Sequence, residues 1–144
     1  MRYISGIQAL NMHYTNQTTP GDWHGLSVDF SNPQWYYTEQ SPFLDFDIEL
    51  RKFPGIKEKV YVANHTRACL DLIYECKYSV IAGMKNTLID DKLLNELLLQ
   101  KLLLLIKDNN FQVIFNLILK EYRLDWINVL EKNGVIWQNL ILNK

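Results

Sequence analysis

The sequence predicts a single α+β domain (residues 1–144) in which a small, aromatic-rich sheet and loop layer packs on a helical C-terminal part. Three observations lead to this prediction. The chain has 144 residues, near the commonest size for one domain, and 48% of them are hydrophobic. All four prolines lie within residues 1–63, among short alternating segments. Residues 64–144 contain no proline and place apolar residues at helical spacing.

The first 63 residues contain short segments in which apolar and polar residues alternate or aromatic residues cluster, a pattern typical of half-buried strands. The predicted strands are residues 2–10, 26–30, 35–37, 44–50 and 60–62. We therefore expect residues 1–63 to form the strand- and loop-rich part of the domain.

Residues 64–144 are predicted to form successive helices. Asn64 suits a helix N-cap, because its side chain can accept a hydrogen bond from a free amide in the first turn. Asp90 is expected to cap a long helix that runs to about residue 107, and Asn133-Gly134 to end a later one. The other predicted segments are a short helix at 79–85, helices at 111–123 and 124–132, and a last strand or packed tail at 135–142.

The helix after Asn64 carries several polar or reactive side chains. Arg67 and Asp71 are four residues apart and are expected to pair on its outer face. His65 is expected to face solvent or to bond to the preceding loop. Cys69 and Cys76 are seven residues apart, about 10 Å along a helix, which is too far for a disulfide. We interpret both as small buried thiols.

The long helix over residues 91–107 has more leucine than one amphipathic stripe needs. One broad stripe consists of Leu94, Leu98, Leu99, Leu102, Leu105 and Ile106. Leu93, Leu97 and Leu104 fall on nearly the opposite side, so the helix has two apolar faces. Either the aromatic N-terminal part covers this second face, or a homodimer or a partner protein does.

Charge and hydropathy exclude several classes of protein. Lysine and arginine number 15 against 16 acidic residues, which argues against the basic surface that nucleic-acid binding needs. No apolar stretch approaches the roughly 18–20 residues that span a bilayer, and the N-terminus lacks a signal-peptide pattern. A cytoplasmic protein is therefore expected. No catalytic, metal-binding or cofactor-binding residue is assigned.

Aromatic residues in the N-terminal part are candidates for partner binding. Trp23, His24, Trp35 and Tyr36 are of the types that supply large contact areas at low entropic cost, although the same residues could serve as core. The rival interpretation is a small enzyme acting on nucleotides or nucleic acid, with Asp22, His24 and His65 gathered in a cleft.

Four segments carry a resemblance to a group of small bacterial proteins encoded in mobile defence and toxin–antitoxin loci. They are residues 1–11, the Gly-Asp-Trp-His turn at 21–24, residues 62–68 and residues 121–126. The resemblance implies a non-enzymatic, antitoxin-like protein that neutralises a partner enzyme by direct contact. A phage-encoded inhibitor of a bacterial defence system, of the anti-CRISPR type, would share these features. The expected contact residues are Trp23, His24, Trp35, Tyr36, Leu93, Leu97 and Leu104.

Overall fold

A four-stranded sheet and six α-helices form the part of the chain that the computed structural model describes, residues 1–12 and 28–142, with the backbone alone at Leu142. The α+β class is therefore confirmed. The strands are β1 (Arg2–Ile4), β2 (Trp35–Tyr37), β3 (Ile48–Arg51) and β4 (Val60–Ala63). The helices are α1 (Gly6–Leu10), α2 (His65–Tyr74), α3 (Lys92–Leu102), α4 (Phe111–Tyr122), α5 (Leu124–Lys132) and α6 (Gln138–Leu142).

The sheet is mixed, with the strand order β2–β1–β4–β3. β1 is antiparallel to β2 and parallel to β4, while β3 and β4 are antiparallel. Tyr3 of β1 lies directly opposite Tyr36 of β2, and their ring centroids are 5.7 Å apart. Residues that face each other in this way point to the same side of a sheet. This register places two tyrosines beside α2.

The strands predicted at 35–37 and 60–62 are confirmed. The strand predicted at 2–10 is correct only as far as Ile4, because Gly6 takes a left-handed φ of +61° and begins α1. Of the strand predicted at 26–30, residues 28–30 are irregular, and the rest lies outside the described residues.

The strand predicted at 44–50 begins only at Ile48. Leu44 and Asp47 both adopt positive φ, which turns the chain instead of extending it. The alternating pattern was therefore a misleading signal over its first four residues.

Most helices follow the sequence prediction closely. The Asn64 side chain accepts a hydrogen bond from the amide of Arg67 (2.9 Å), which confirms the N-cap of α2. α3 is capped by Asp91 and not by Asp90, since the Asp91 carboxylate accepts from the amide of Leu94 (3.0 Å). α3 continues as a 3₁₀ turn over Leu103–Leu105, short of the predicted end near residue 107.

The segments between and after the long helices differ more from the prediction. A 3₁₀ turn over Tyr78–Ile81 and a π-helical turn over Lys85–Ile89 replace the single short helix expected at 79–85. At the C-terminus the chain forms α6 rather than a strand, so the predicted packed tail is the correct alternative.

Buried hydrophobic residues from both halves of the chain form one cluster. It includes Ile4 of the sheet, Leu70 of α2, and Phe115 and Trp126 of the C-terminal helices. α2 lies at its centre, with all nine residues from His65 to Ile73 buried. Within the described ranges, no helix is both long and apolar enough for a membrane span.

Candidate functional site

Arg67 and Asp71 pair inside the protein, which corrects the expectation that they lie on an outer face. Both side chains are buried, and the Arg67 Nε to Asp71 Oδ1 distance is 3.0 Å. The five N–H groups of a guanidinium must all find acceptors when it is buried. Here they donate to Asp71 Oδ1, to the carbonyl oxygens of Phe43 (3.3 Å) and Phe46 (2.8 Å), to Tyr3 Oη (2.9 Å) and to Ser41 Oγ (3.0 Å).

The second oxygen of Asp71 accepts hydrogen bonds from the hydroxyls of Tyr3 (2.8 Å) and Ser5 (2.7 Å). Burial raises the pKa of Asp71, although Arg67 and these hydrogen bonds act in the opposite direction. Burial and the charge of Asp71 also raise the pKa of the Tyr3 hydroxyl. The cluster therefore joins β1, α2 and the loop at 41–46, and its polar groups are fully engaged with one another.

A cleft of about 360 Å³ opens beside this cluster. We call it the tyrosine cleft, after Tyr36, Tyr37 and Tyr74 in its lining, together with Glu75 and Lys77. Trp35 and Asp71 also line it, and Arg2 covers the ring of Trp35, with its guanidinium carbon 3.9 Å from the ring centroid. Two of the predicted contact residues, Trp35 and Tyr36, thus border one cleft.

Tyr36 is held in place from two directions. Its hydroxyl donates to the carboxylate of Glu75, whose other oxygen lies 3.3 Å from the ammonium group of Lys77. Burial raises the pKa of Tyr36, and so do the hydrogen bond to Glu75 and the charges of Glu75 and Asp71. On the other side, a Cβ atom at Gly6 would lie 2.6 Å from the Tyr36 hydroxyl oxygen, so only glycine fits at that position without a shift.

The second apolar face of α3 is exposed. Leu93 is 71% exposed, Leu97 38% and Leu104, in the following 3₁₀ turn, 55%. On the opposite side, Leu98 and Leu102 are completely buried. We call the three exposed side chains the leucine face. The predicted two-sided helix is confirmed, and the described residues of the N-terminal part, 1–12 and 28–63, leave its second side exposed.

The enzyme interpretation required Asp22, His24 and His65 in one cleft. Asp22 and His24, like Trp23, lie outside the described residues. His65 is completely buried, which corrects the expectation that it faces solvent. Its Nδ1 lies 3.1 Å from the carbonyl oxygen of Leu88 and its Nε2 lies 2.8 Å from that of Met12. Both ring nitrogens therefore lie within hydrogen-bond distance of backbone carbonyl oxygens in the core, and a neutral imidazole donates through one of them at a time.

The cysteines divide between core and surface. Cys69 is buried as expected, and burial raises its pKa. Cys76 is exposed, which corrects the prediction of a buried thiol. The reason is that α2 ends at Tyr74, and Cys76 adopts a positive φ of +64° beyond it. Among the described residues, no group of three or more histidine, cysteine or acidic side chains is arranged to hold a metal ion.

Sequence reasoning missed the polar cluster and the residues Tyr74, Glu75 and Lys77 of the cleft. A signal for the cluster was present, because Arg67 and Asp71 are the only charged residues between 65 and 74 if histidine is counted as neutral. Apart from Asp71, residues 68–74 are apolar or aromatic, so the sequence was compatible with a buried position for this pair.

Comparison of the chain with family models, with curated proteins and with solved structures finds no match.

Proposed function

We propose that the protein works without catalysis, as an antitoxin-like inhibitor that binds a partner enzyme in the cytoplasm and neutralises it by direct contact. The leucine face is the observation that carries this proposal. Leu93, Leu97 and Leu104 lie on one side of α3 and its 3₁₀ extension, and each is more than one third exposed.

Exposure of these leucines is unfavourable for an isolated protein. Full burial of a leucine side chain stabilises by about 1.5–3 kcal/mol relative to exposure. Contiguous apolar surface of this kind usually marks a protein contact on a water-soluble domain. The exposed polar side chains of Lys92, Glu96 and Gln100 also lie on α3, as expected for an interface with a polar rim.

The tyrosine cleft supplies a second type of contact group. Tyrosine and tryptophan are enriched among the residues that dominate binding energies, and Trp35 and Tyr36 both line the cleft. The Tyr36 hydroxyl and the carboxylates of Glu75 and Asp71 are engaged in hydrogen bonds, which favours binding over catalysis.

The proposal is tested by capture of the partner from the organism of origin. The tagged native chain is expected to retain one protein at fixed stoichiometry, and that protein should lose enzymatic activity when the purified chain is added. A Leu93→Ser/Leu97→Ser/Leu104→Ser variant should lose the partner. Ile136→Ser is the matched control, because Ile136 is 68% exposed and belongs neither to α3 nor to the lining of the tyrosine cleft.

Two outcomes would contradict the proposal. One is equal capture by the native chain and the triple variant. The other is a strict monomer in solution, by light scattering, that retains no protein. The identity of the captured enzyme distinguishes an antitoxin from a phage-encoded inhibitor of a bacterial defence system, and a native dimer that the triple variant abolishes would assign the leucine face to self-association.

A further inference from the structure

We infer that the tyrosine cleft is a binding site for an arginine side chain. Because the proposed function requires a protein partner, the arginine is taken to be an exposed residue of that partner. The cleft volume of about 360 Å³ lies at the small end of the range of ligand pockets, which is about 300–1,000 Å³. It therefore suits one long side chain better than an extended segment.

The electrostatic environment of the cleft favours a cation. Glu75 is the carboxylate that the cleft presents to a ligand, since Asp71, which also lines it, is buried and already paired with Arg67. The faces of tyrosine rings add partial negative charge, which attracts ammonium and guanidinium groups. An anion such as a phosphate group would have to approach the Glu75 carboxylate.

Lys77 is the cation that a ligand would displace. Its ammonium lies 3.3 Å from Glu75, and its side chain is 50% exposed. Exposed pairs of this kind contribute little to stability, since solvent screens them and the long side chain loses freedom. An incoming cation can therefore replace Lys77 at the Glu75 carboxylate at little cost.

Arginine fits the cleft better than lysine does. A guanidinium is planar, so it can stack on an aromatic ring while its edge donates two parallel hydrogen bonds to a carboxylate. The same fold already holds the Arg67 guanidinium beside an aromatic ring and a carboxylate. The Arg67 guanidinium lies 5.0 Å from the Tyr3 ring centroid and donates to Asp71. The cleft offers the equivalent groups, with Tyr36 and Tyr74 as rings and Glu75 as the carboxylate, open to solvent.

The test is an NMR titration of the purified native chain with N-acetyl-arginine methylamide. Its citrulline equivalent is the matched ligand control, because it replaces the guanidinium with a neutral urea group of the same shape. Backbone amides at 34–37 and 74–77 are expected to shift with saturation at a Kd on the order of 1–10 mM, and citrulline should bind at least about tenfold more weakly. Equal binding of the two ligands, larger shifts with adenosine, or no saturation up to roughly 100 mM would each overturn the inference.

Three variants, one of them a control, sharpen the result. Glu75→Gln keeps an acceptor for the Tyr36 hydroxyl but removes the charge, so the arginine affinity should fall about tenfold, as expected for one charge-assisted hydrogen bond. Glu49→Gln, an exposed position on β3, should leave the affinity unchanged. Lys77→Met should strengthen binding, because it removes the competing cation. Weaker binding in Lys77→Met would show that the cleft does not select a cation.

The titration uses the purified chain alone, so its outcome does not depend on partner capture. If arginine binds but no partner depends on the leucine face, the proposed inhibitor function is wrong and the cleft remains a guanidinium site. If the partner is captured through the leucine face while arginine fails to bind, only the inferred arginine site is wrong.

Discussion

The Arg67–Asp71 cluster and the leucine face lie on consecutive helices, α2 and α3, and have opposite relations to water. Arg67 carries a full charge and is completely buried, while Leu93 is apolar and 71% exposed. Judged only by the free energy of transfer between water and an apolar environment, both arrangements are unfavourable. Within the structure, however, all five guanidinium N–H groups have acceptors, whereas the described residues leave the leucines uncovered.

This difference separates a structural feature from a candidate contact surface. A buried ion pair with complete hydrogen bonding stays fixed, since any rearrangement would leave a charge unpaired in the core. An exposed apolar row has no such constraint and gains free energy only when another surface covers it. The cluster should therefore matter for stability and the leucine face for binding.

The largest expected effect on the free energy of unfolding is from Arg67→Met. It leaves the Asp71 carboxylate buried without its counter-charge, and breaking such a pair costs about 3–5 kcal/mol. Urea unfolding followed by circular dichroism measures the loss. Lys120→Met, at an exposed position on α4, is the control and should change stability by less than about 0.5 kcal/mol. A cost for Arg67→Met below about 1 kcal/mol would mean that the cluster is not the fixed structural element described above.

A smaller loss of stability is expected from Gly6→Ala. The left-handed φ of +61° costs an L-residue about 1–2 kcal/mol, and the new Cβ would also displace the Tyr36 hydroxyl. Gly55→Ala is a matched control, because Gly55 has a φ of +82° and no neighbouring atom within 4 Å of the new Cβ. Urea unfolding should show the larger loss for Gly6→Ala, and arginine binding should weaken in that variant alone. Equal behaviour of the two variants would mean that Gly6 does not position Tyr36.

Alkaline pH should destabilise the fold through its buried tyrosines. Burial raises the pKa of Tyr3, Tyr36 and Tyr122, so the folded state retains protons that the unfolded chain releases above about pH 10. Their contribution is fully present below that pH and is lost as the pH rises further. The free energy of unfolding should fall by up to about 1.4 kcal/mol per pH unit for each tyrosine.

Urea midpoints between about pH 8 and pH 11 measure this slope. Tyr122→Phe removes one of the three groups and should make the slope shallower at high pH. A slope that is the same in both proteins would show that Tyr122 does not retain its proton in the folded state.

The smallest expected effect on stability is from Leu97→Ser. An exposed position away from special features changes stability by less than about 0.5 kcal/mol. The matched control on the same helix is Leu98→Ala, where the side chain is completely buried and its truncation should cost about 2–5 kcal/mol. Thermal unfolding compares the two. A cost above about 1 kcal/mol for Leu97→Ser would place Leu97 in the core and remove it from the leucine face.

Local signals predicted the helices well. The N-cap at Asn64 is confirmed, and the start of α4 at Phe111 and both ends of α5 match the predicted bounds. The strands were harder to predict, because a strand ends where its partner ends. β3 covers only the four residues that pair with β4, although the alternating pattern begins at residue 44.

The sequence by itself determined that α3 has two apolar sides, because a helical repeat fixes which residues share a side whatever surrounds them. Only the tertiary structure decided that Arg67 is inside and that Tyr36 borders a cleft. Arg67 is buried because Tyr3, 64 residues away, and the carbonyl groups of the loop at 41–46 supply its acceptors. Contacts over such distances in sequence depend on chain packing, which no local periodicity encodes.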